Sequence, residues 1–395
     1  MNTRFTSESV TSGHPDKICD RIADRILDEL LIRDPEARCA CEVSCNGNHV
    51  HLFGEITTTA KVDYEEIARN VIAEIGYTDP HYGFCADSCH IDVDFTEQSG
   101  DIAMGISRNT TTEMINSGAG DQGMMFGYAC RETSSLMPLP IELAHSLAKR
   151  LEEVRKYNEL PWLLPDGKTQ ITVEYEDSKP KRIDTVIVSA QHRPKIEMND
   201  LRDAIMSHVI LPTLPSSMLD DNTQVFIDPT GRFVKGGPMA DAGLTGRKLI
   251  VDTYGGASRS GGGAMAGKDA TKTDRTGAYM ARYIAKNIVY AGLADRCEVQ
   301  LSYAIGLAEP ISVRIDSFGT SSLPDEIICS AVRTVTDLRP AAIIERFHLK
   351  DPIYSSVSCY GQFGFNAAGM PWEQTDLAQK LKKFLKEDIY EKYLE

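Results

Sequence analysis

The chain has 395 residues, 42% hydrophobic and 25% charged, the balance of a soluble globular protein large enough for two or three buried cores. Its 57 acidic and 42 basic residues give a formal net charge of −15, which excludes a general nucleic-acid binder. No apolar run approaches the roughly 18 residues of a membrane span, and the first residues carry no apolar signal core, so a cytoplasmic location with no membrane partner is expected.

In chain order, the spacing first predicts a helix over 15–33, with Ile18, Ile22, Ile26, Leu27, Leu30 and Leu31 on one face. Asp20, Asp24 and Asp28 continue from Asp16 at fourfold spacing and read as a solvated face of that helix. A strand pair over 41–58 follows, turning at Gly47-Asn48. Cys39, Cys41 and Cys45 alternate there with polar residues. They read as buried thiols, because structural zinc sites use tighter cysteine pairs and a reducing compartment disfavours disulfides. A helix over 63–75 and a strand over 90–95 complete the first set.

The order then recurs. A helix over 140–157 precedes strands at 170–175 and 183–189, a helix over 198–210 and a strand at 223–227. It recurs again as helix 274–290, strands 298–305 and 311–316, helix 324–336 and strand 342–347. The leading helices start at 15, 140 and 274, spacings of 125 and 134, with no residue identity between the copies. The expected fold is α/β (α+β): three similar mixed-sheet units with helices on one face, related by pseudo-threefold repetition. The expected divisions are an N-terminal unit at 1–99, a mobile gate loop and linker at 100–123, a central unit at 124–231 and a C-terminal unit at 232–395. The glycine-rich stretch over 98–123 reads as a lid in preference to a linker, since chemistry that excludes water needs something that closes.

Three segments carry phosphate-type chemistry. Six glycines fall in the thirteen residues 255–267, and Gly262-x4-Gly267-Lys268 matches seven positions of a P-loop. The apolar run Leu249-Ile250-Val251 reads as the strand before it. Asp269 stands where a P-loop needs Ser or Thr for magnesium, so a strict P-loop is not expected, but a backbone-and-lysine phosphate cradle is. A flexible surface turn is the alternative. Lys272 adds a second cation, and Asp274 suits either a divalent ion or a helix N-cap.

In Gly13-His14-Pro15-Asp16-Lys17, Pro15 fits the first helical turn and sets His14 and Asp16 at an anion-favouring helix end. A satisfied surface histidine is the other reading of His14. Gly243-Leu244-Thr245-Gly246-Arg247-Lys248, after Asp241, places adjacent cations between glycines. Lys168, in Pro165-Asp166-Gly167-Lys168, also fits plain turn chemistry, and Glu42 and Glu55 fit outward-facing strand positions. These residues by themselves point to a nucleotide-dependent enzyme that handles a polyphosphate with magnesium.

Gly13-His14-Pro15-Asp16-Lys17-Ile18, Gly54-Glu55-Ile56-Thr57-Thr58, Gly118-Ala119-Gly120-Asp121-Gln122-Gly123, Asp241 to Lys248, and Gly261-Gly262-Gly263-Ala264 with Gly267-Lys268-Asp269 resemble the signature segments of the methionine adenosyltransferase (S-adenosylmethionine synthetase) family. They occur in family order from Phe5 to about Gly364. The resemblance implies attack of methionine sulfur on C5′ of ATP, then hydrolysis of the released tripolyphosphate to phosphate and diphosphate. It implies a homodimer with shared active sites, or a homotetramer, and two Mg2+ per site with K+.

By position, the resemblance makes His14, Lys268, Arg247 and Asp121 catalytic, with His14 assisting departure of the tripolyphosphate. Asp166, Lys168, Arg232, Phe233, Asp241, Lys248 and Ala264 join His14, Arg247 and Lys268 around ATP. Glu55, Gln98, Asp241 and Lys272 face methionine. Glu8, Asp16 and Asp274 are the magnesium acids, Glu42 is the potassium ligand, and 98–108 matches the family's gate.

The chain departs from the family pattern at Ser12, Gly100, Met104, Ser260 and Met265-Ala266, and in Ala270-Thr271-Lys272-Thr273-Asp274. None of these removes a charged catalytic group. Another ATP-dependent ligase or phosphotransferase is the competing enzyme. A silent regulatory homologue would have lost a key charge, yet His14, Lys168, Arg247, Lys268, Lys272 and Asp274 are all present.

Overall fold

The structure, a computed structural model, describes residues 2–97 and 118–389. Strand β1 (Asn2–Val10) leads into helix α1 (Pro15–Arg33), then the hairpin β2 (Arg38–Asn46) and β3 (His49–Thr57). Helix α2 (Tyr64–Ile75) starts where the Asp63 side chain accepts the Glu66 N–H and stops at left-handed Gly76. It carries the chain back so that β4 (His90–Thr96) pairs parallel to β3.

The next stretch holds β5 (Gly123–Cys130), α3 (Leu139–Lys156), the long hairpin β6 (Leu163–Glu176) and β7 (Lys179–His192), helix α4 (Met198–Ile205) and β8 (Gln224–Ile227), parallel to β7. Last come β9 (Gly243–Leu244), α5 (Thr273–Tyr290), β10 (Arg296–Tyr303), β11 (Ser312–Asp316), α6 (Asp325–Val335), α7 (Pro340–Phe347) and α8 (Leu377–Phe384).

Among the described residues the strands form three sheets, in the orders β4-β3-β2-β9, β1-β6-β7-β8 and β11-β10-β5. Each sheet borrows an edge strand from another stretch of chain. β1 pairs with β6 from Asn2↔Glu176 to Val10↔Lys168, β5 pairs with β10, and β9 pairs with β2 at Ser44↔Leu244. Sequence reading misses β1 because two of its inward positions, Ser7 and Ser9, are serines, and only Phe5 on that face is apolar. Ser7 donates to the Gly255 carbonyl and Ser9 bonds His145, so no apolar alternation marks the strand.

Two expected strands are helices. Residues 342–347 belong to α7, where Pro340 opens the helix and Ile343 and Phe347, four apart, face the core. The third sheet is therefore wholly antiparallel, while the other two are mixed. Residues 249–252 form one helical turn, with Val251 buried and Ile250 exposed; three apolar residues are too few to show a period.

The aspartate stripe of α1 is not solvated. Asp16, Asp20, Asp24 and Asp28 are all buried, because α1 lies between its own sheet and loops of the C-terminal stretch. Each carboxylate accepts backbone N–H groups from those loops: Leu244 on Asp16, Gly246 on Asp20, Gly267 on Asp24, and Tyr354 and Ser355 on Asp28. Burial of a charge is sustained by such partners. The nine most buried cysteines and partly buried Cys329 are all free thiols, as expected. The segments 98–117, with Gln98 and the expected gate, lie outside the described residues.

Candidate active site

The first group of candidate residues gathers at the start of α1. Gly13 lies against Pro165, where a Cβ would stand 2.3 Å from the carbonyl oxygen, so only glycine allows this approach. Thr11 fixes the crossing, its hydroxyl donating to the Pro165 carbonyl at 2.7 Å and its N–H to Gly167 at 3.0 Å. His14 then caps α1, with Pro15 in the first turn, and its Nδ1 accepts the Asp16 N–H at 3.1 Å. That bond assigns the proton of the neutral ring to Nε2. Burial, with help from the Lys248 charge and against that of Asp16, lowers the His14 pKa to about 4. At neutral pH the ring is therefore an uncharged donor.

Around it, Asp16 takes Lys248 at 2.6 Å and has the Arg247 guanidinium 3.5 Å away. Lys168 pairs with Glu8 across the β1–β6 edge at 2.7 Å. Asp166 is buried and accepts the Gly237 N–H at 2.8 Å, and burial raises its pKa to about 6. Asp241 is exposed nearby, and its charge acts on His14.

The second group is built on the loop before α5. Lys268 pairs with Asp274 at 2.5 Å, and its backbone bridges Ala40 of β2. A Cβ on Gly263 would fall 2.2 Å from the Asp274 carboxylate, which ties the glycine loop to this pair. The N-cap of α5 is Lys272, so the capping reading of Asp274 is corrected: its carboxylate is spent on Lys268. The P-loop likeness is not realised either. A one-turn helix precedes the loop, and α5 begins only at Thr273. Asp269, the mismatched position, is buried. Against the cost of burial, Lys272 and hydrogen bonds from Thr271 and the Cys39 N–H hold its pKa below the usual range.

The remaining candidates lie on the margins. The Phe233 N–H donates to His192, and Arg232 reaches the Pro194 carbonyl. Ala264 sits against Gly246, whose left-handed backbone leaves room for it. Glu42 and Glu55 alternate with inward Val43 and Ile56, and so project from the face of the first sheet opposite α1. Glu42 accepts the Thr245 hydroxyl, and Glu55 stands beside Ala40. Asp121 is exposed and accepts the Gln122 N–H.

Among the described residues no ion pair joins the two groups. α1 relates them, since Asp16 carries the first and Asp24 holds Gly267 beside Lys268. Eight residues at 1.5 Å each place these supports about 12 Å apart. Sequence reading missed this scaffold, which includes buried Lys17 between Asp20 and Asp252, and Arg275 on both oxygens of Asp24 at 2.8 Å. A signal existed: four aspartates at i, i+4 on a solvated helix face repel one another, and aspartate is a poor helix former.

Three sheets backed by helices, with lysine–carboxylate pairs displayed on glycine-rich loops, define an α/β enzyme equipped for a multiply charged anion. The model of the S-adenosylmethionine synthetase N-terminal domain matches residues 2–100, that of the central domain 116–233, and that of the C-terminal domain 235–374. The chain belongs to the S-adenosylmethionine synthetase family, transferases that use ATP and methionine and need divalent and monovalent cations. Among the described residues no helix is long and apolar enough to cross a membrane.

Proposed function

We propose that the protein joins methionine to ATP by direct displacement at C5′, and then hydrolyses the tripolyphosphate to phosphate and diphosphate. In the first step the sulfur–C5′ bond forms as the C5′–oxygen bond breaks, and the electron pair leaves with the tripolyphosphate. The observation that carries this reading is the set of three lysine–carboxylate pairs: Lys168–Glu8, Lys248–Asp16 and Lys268–Asp274. A tripolyphosphate bound with a hard divalent cation exchanges every partner favourably, giving lysine to phosphate and carboxylate oxygen to metal.

Neutral His14 donates its Nε2 hydrogen to the leaving oxygen, and Arg247 and Lys268 hold the departing charge. Asp121 lies with the phosphates. Asp166, Arg232, Phe233, Asp241 and Ala264 shape the ATP site, and Glu55, Gln98, Asp241 and Lys272 the methionine site. Glu8, Asp16 and Asp274 would hold two Mg2+, which neutralise polyphosphate charge when bound, and Glu42 would hold K+.

The two groups stand apart within one chain, while Glu42 and Glu55 face outward. We therefore propose a homodimer, or a tetramer of two such dimers, in which His14, Lys168 and Arg247 meet Glu55, Lys268 and Lys272 of the partner subunit. The test is to incubate the protein with ATP and methionine and to assay S-adenosylmethionine, phosphate and diphosphate by mass spectrometry. Formation of all three, abolished by chelating divalent ions, is expected. Phosphate release without a sulfonium product would overturn the reading.

A further inference from the structure

β3 and β4 run parallel, with His49 directly opposite His90 and His51 opposite Asp92. Side chains two apart share a face of a strand, so all four residues project from the face that α1 leaves uncovered. His51 is occupied, its ring stacked on Phe53 at 4.8 Å. His49, His90 and Asp92 face one another, His49 edge to face with His90 and His90 paired with Asp92. They are exposed, their ligand atoms all lie within 4.8 Å of one another, and among the described residues no other such group occurs.

We infer that His49, His90 and Asp92 form a surface site for a late first-row divalent cation, with Zn2+ the representative, separate from the carboxylate sites for magnesium. The donor set is chemically apt: imidazole suits Zn2+, Ni2+ and Co2+, and magnesium avoids it. The spacing is apt as well. His90 Nε2 and Asp92 Oδ1 are 3.1 Å apart. Two ligands at about 2.1 Å from one metal ion stand roughly 3.0–3.4 Å from each other. The His49 and His90 ring centroids are 5.1 Å apart, edge to face, so rotation about the side-chain bonds brings the third ligand in.

The backbones beneath are already fixed. The His90 N–H donates to the Asn48 carbonyl at 2.8 Å, and the Asn48 side chain donates to Ser88 at 3.0 Å. The protein's thiols do not compete, because nine are buried and Cys329 partly so. Nor is the site part of the proposed catalytic centre. His49 and Glu55 are six residues apart on β3, about 20 Å at 3.3 Å per residue. Among the described residues β4 is an edge strand that pairs with β3 alone. A metal bridging His49 and His90 therefore staples that edge.

The test is calorimetric titration of the full chain with Zn2+, in excess Mg2+ to fill carboxylate sites. One Zn2+ per chain is expected in the parent protein. His49→Ala and His90→Ala should each weaken binding by more than about 100-fold, and Asp92→Asn by about 10–100-fold, the range for removing a weaker ligand or its support. Zinc should raise the melting temperature of the parent and leave that of His90→Ala unmoved. X-ray absorption at the zinc edge should show two imidazole ligands. The inference is overturned if the parent binds no more Zn2+ than the His49→Ala/His90→Ala double variant, or if the spectrum shows sulfur or only oxygen ligands.

Discussion

The two charged groups of the site differ in how they are held. At the start of α1, His14 is 15% exposed and Asp16 1%, and the polar atoms are fixed by backbone donors, the Asp16 N–H of α1 itself and the Leu244 N–H of β9. Lys268 and Asp274 are 20% and 28% exposed, and their side chains rest chiefly on each other. Enclosed charges are oriented before any ligand arrives, at a cost met by the fold. Open charges are free to change partners. Mutations should accordingly separate into those that unfold the protein and those that only disarm it.

The largest effect should come from beneath both groups. Arg275→Ala leaves Asp24 buried without its cation, and stability should fall by about 3–5 kcal/mol, read from denaturant unfolding. A loss under about 1 kcal/mol would show that water reaches Asp24, and the scaffold would then not be an enclosed one. Lys268→Ala should do the opposite. The rate of S-adenosylmethionine formation should drop by about 10²–10³-fold, as for one preorganised donor, with the unfolding midpoint nearly unchanged. Parallel losses of rate and stability would erase the distinction between the open group and the enclosed one.

Mixing sharpens the comparison further. When His14→Ala and Lys268→Ala chains are unfolded, combined and reassembled, one site of each mixed dimer carries both lesions and the other neither. Half the dimers are mixed and each has one good site of two, so activity should return to roughly a quarter of the parent's. Native mass spectrometry verifies the mixed dimers, and inactivity in their presence counts against shared sites.

The smallest effect is on pH dependence. The folded pKa of His14, about 4, lies below the ordinary 6.5, so between these values the unfolded chain binds the proton and the folded chain does not. The stability this gives is fully present above pH 6.5 and is lost as pH falls toward 4. His14→Gln should flatten the stability profile in that window by up to about 1.4 kcal/mol per pH unit. Buried His145, lowered in the same direction by burial, remains in the variant. An unchanged slope would mean that His14 is solvated.

Much of this was legible in the residue order. Pro15 and the apolar face of α1 marked its 19 residues, the Gly47-Asn48 turn marked the first hairpin, and Asp63 marked the start of α2. The glycine-flanked cations at 247, 248 and 268 were found because their residue types announce anion chemistry. The strand expected at 342–347 failed because a short apolar run fits a buried helix and a strand equally well. β1 was missed because the middle of the strand buries two hydroxyls, Ser7 and Ser9, where an apolar alternation would have marked it.

Local order by itself determined the long helices, the hairpins and which loops carry charge, because periodicity, caps and turn residues act within a few positions of the chain. Tertiary structure alone decided that the aspartates of α1 are buried. It also decided that Lys268 pairs with Asp274, and that each sheet is completed by a strand from elsewhere. The physical reason is that the burial and partners of a side chain depend on what covers it. Here the covering segments lie some 230 to 330 residues away, as between Asp16 and Lys248, Asp24 and Arg275, and Asp28 and Ser355.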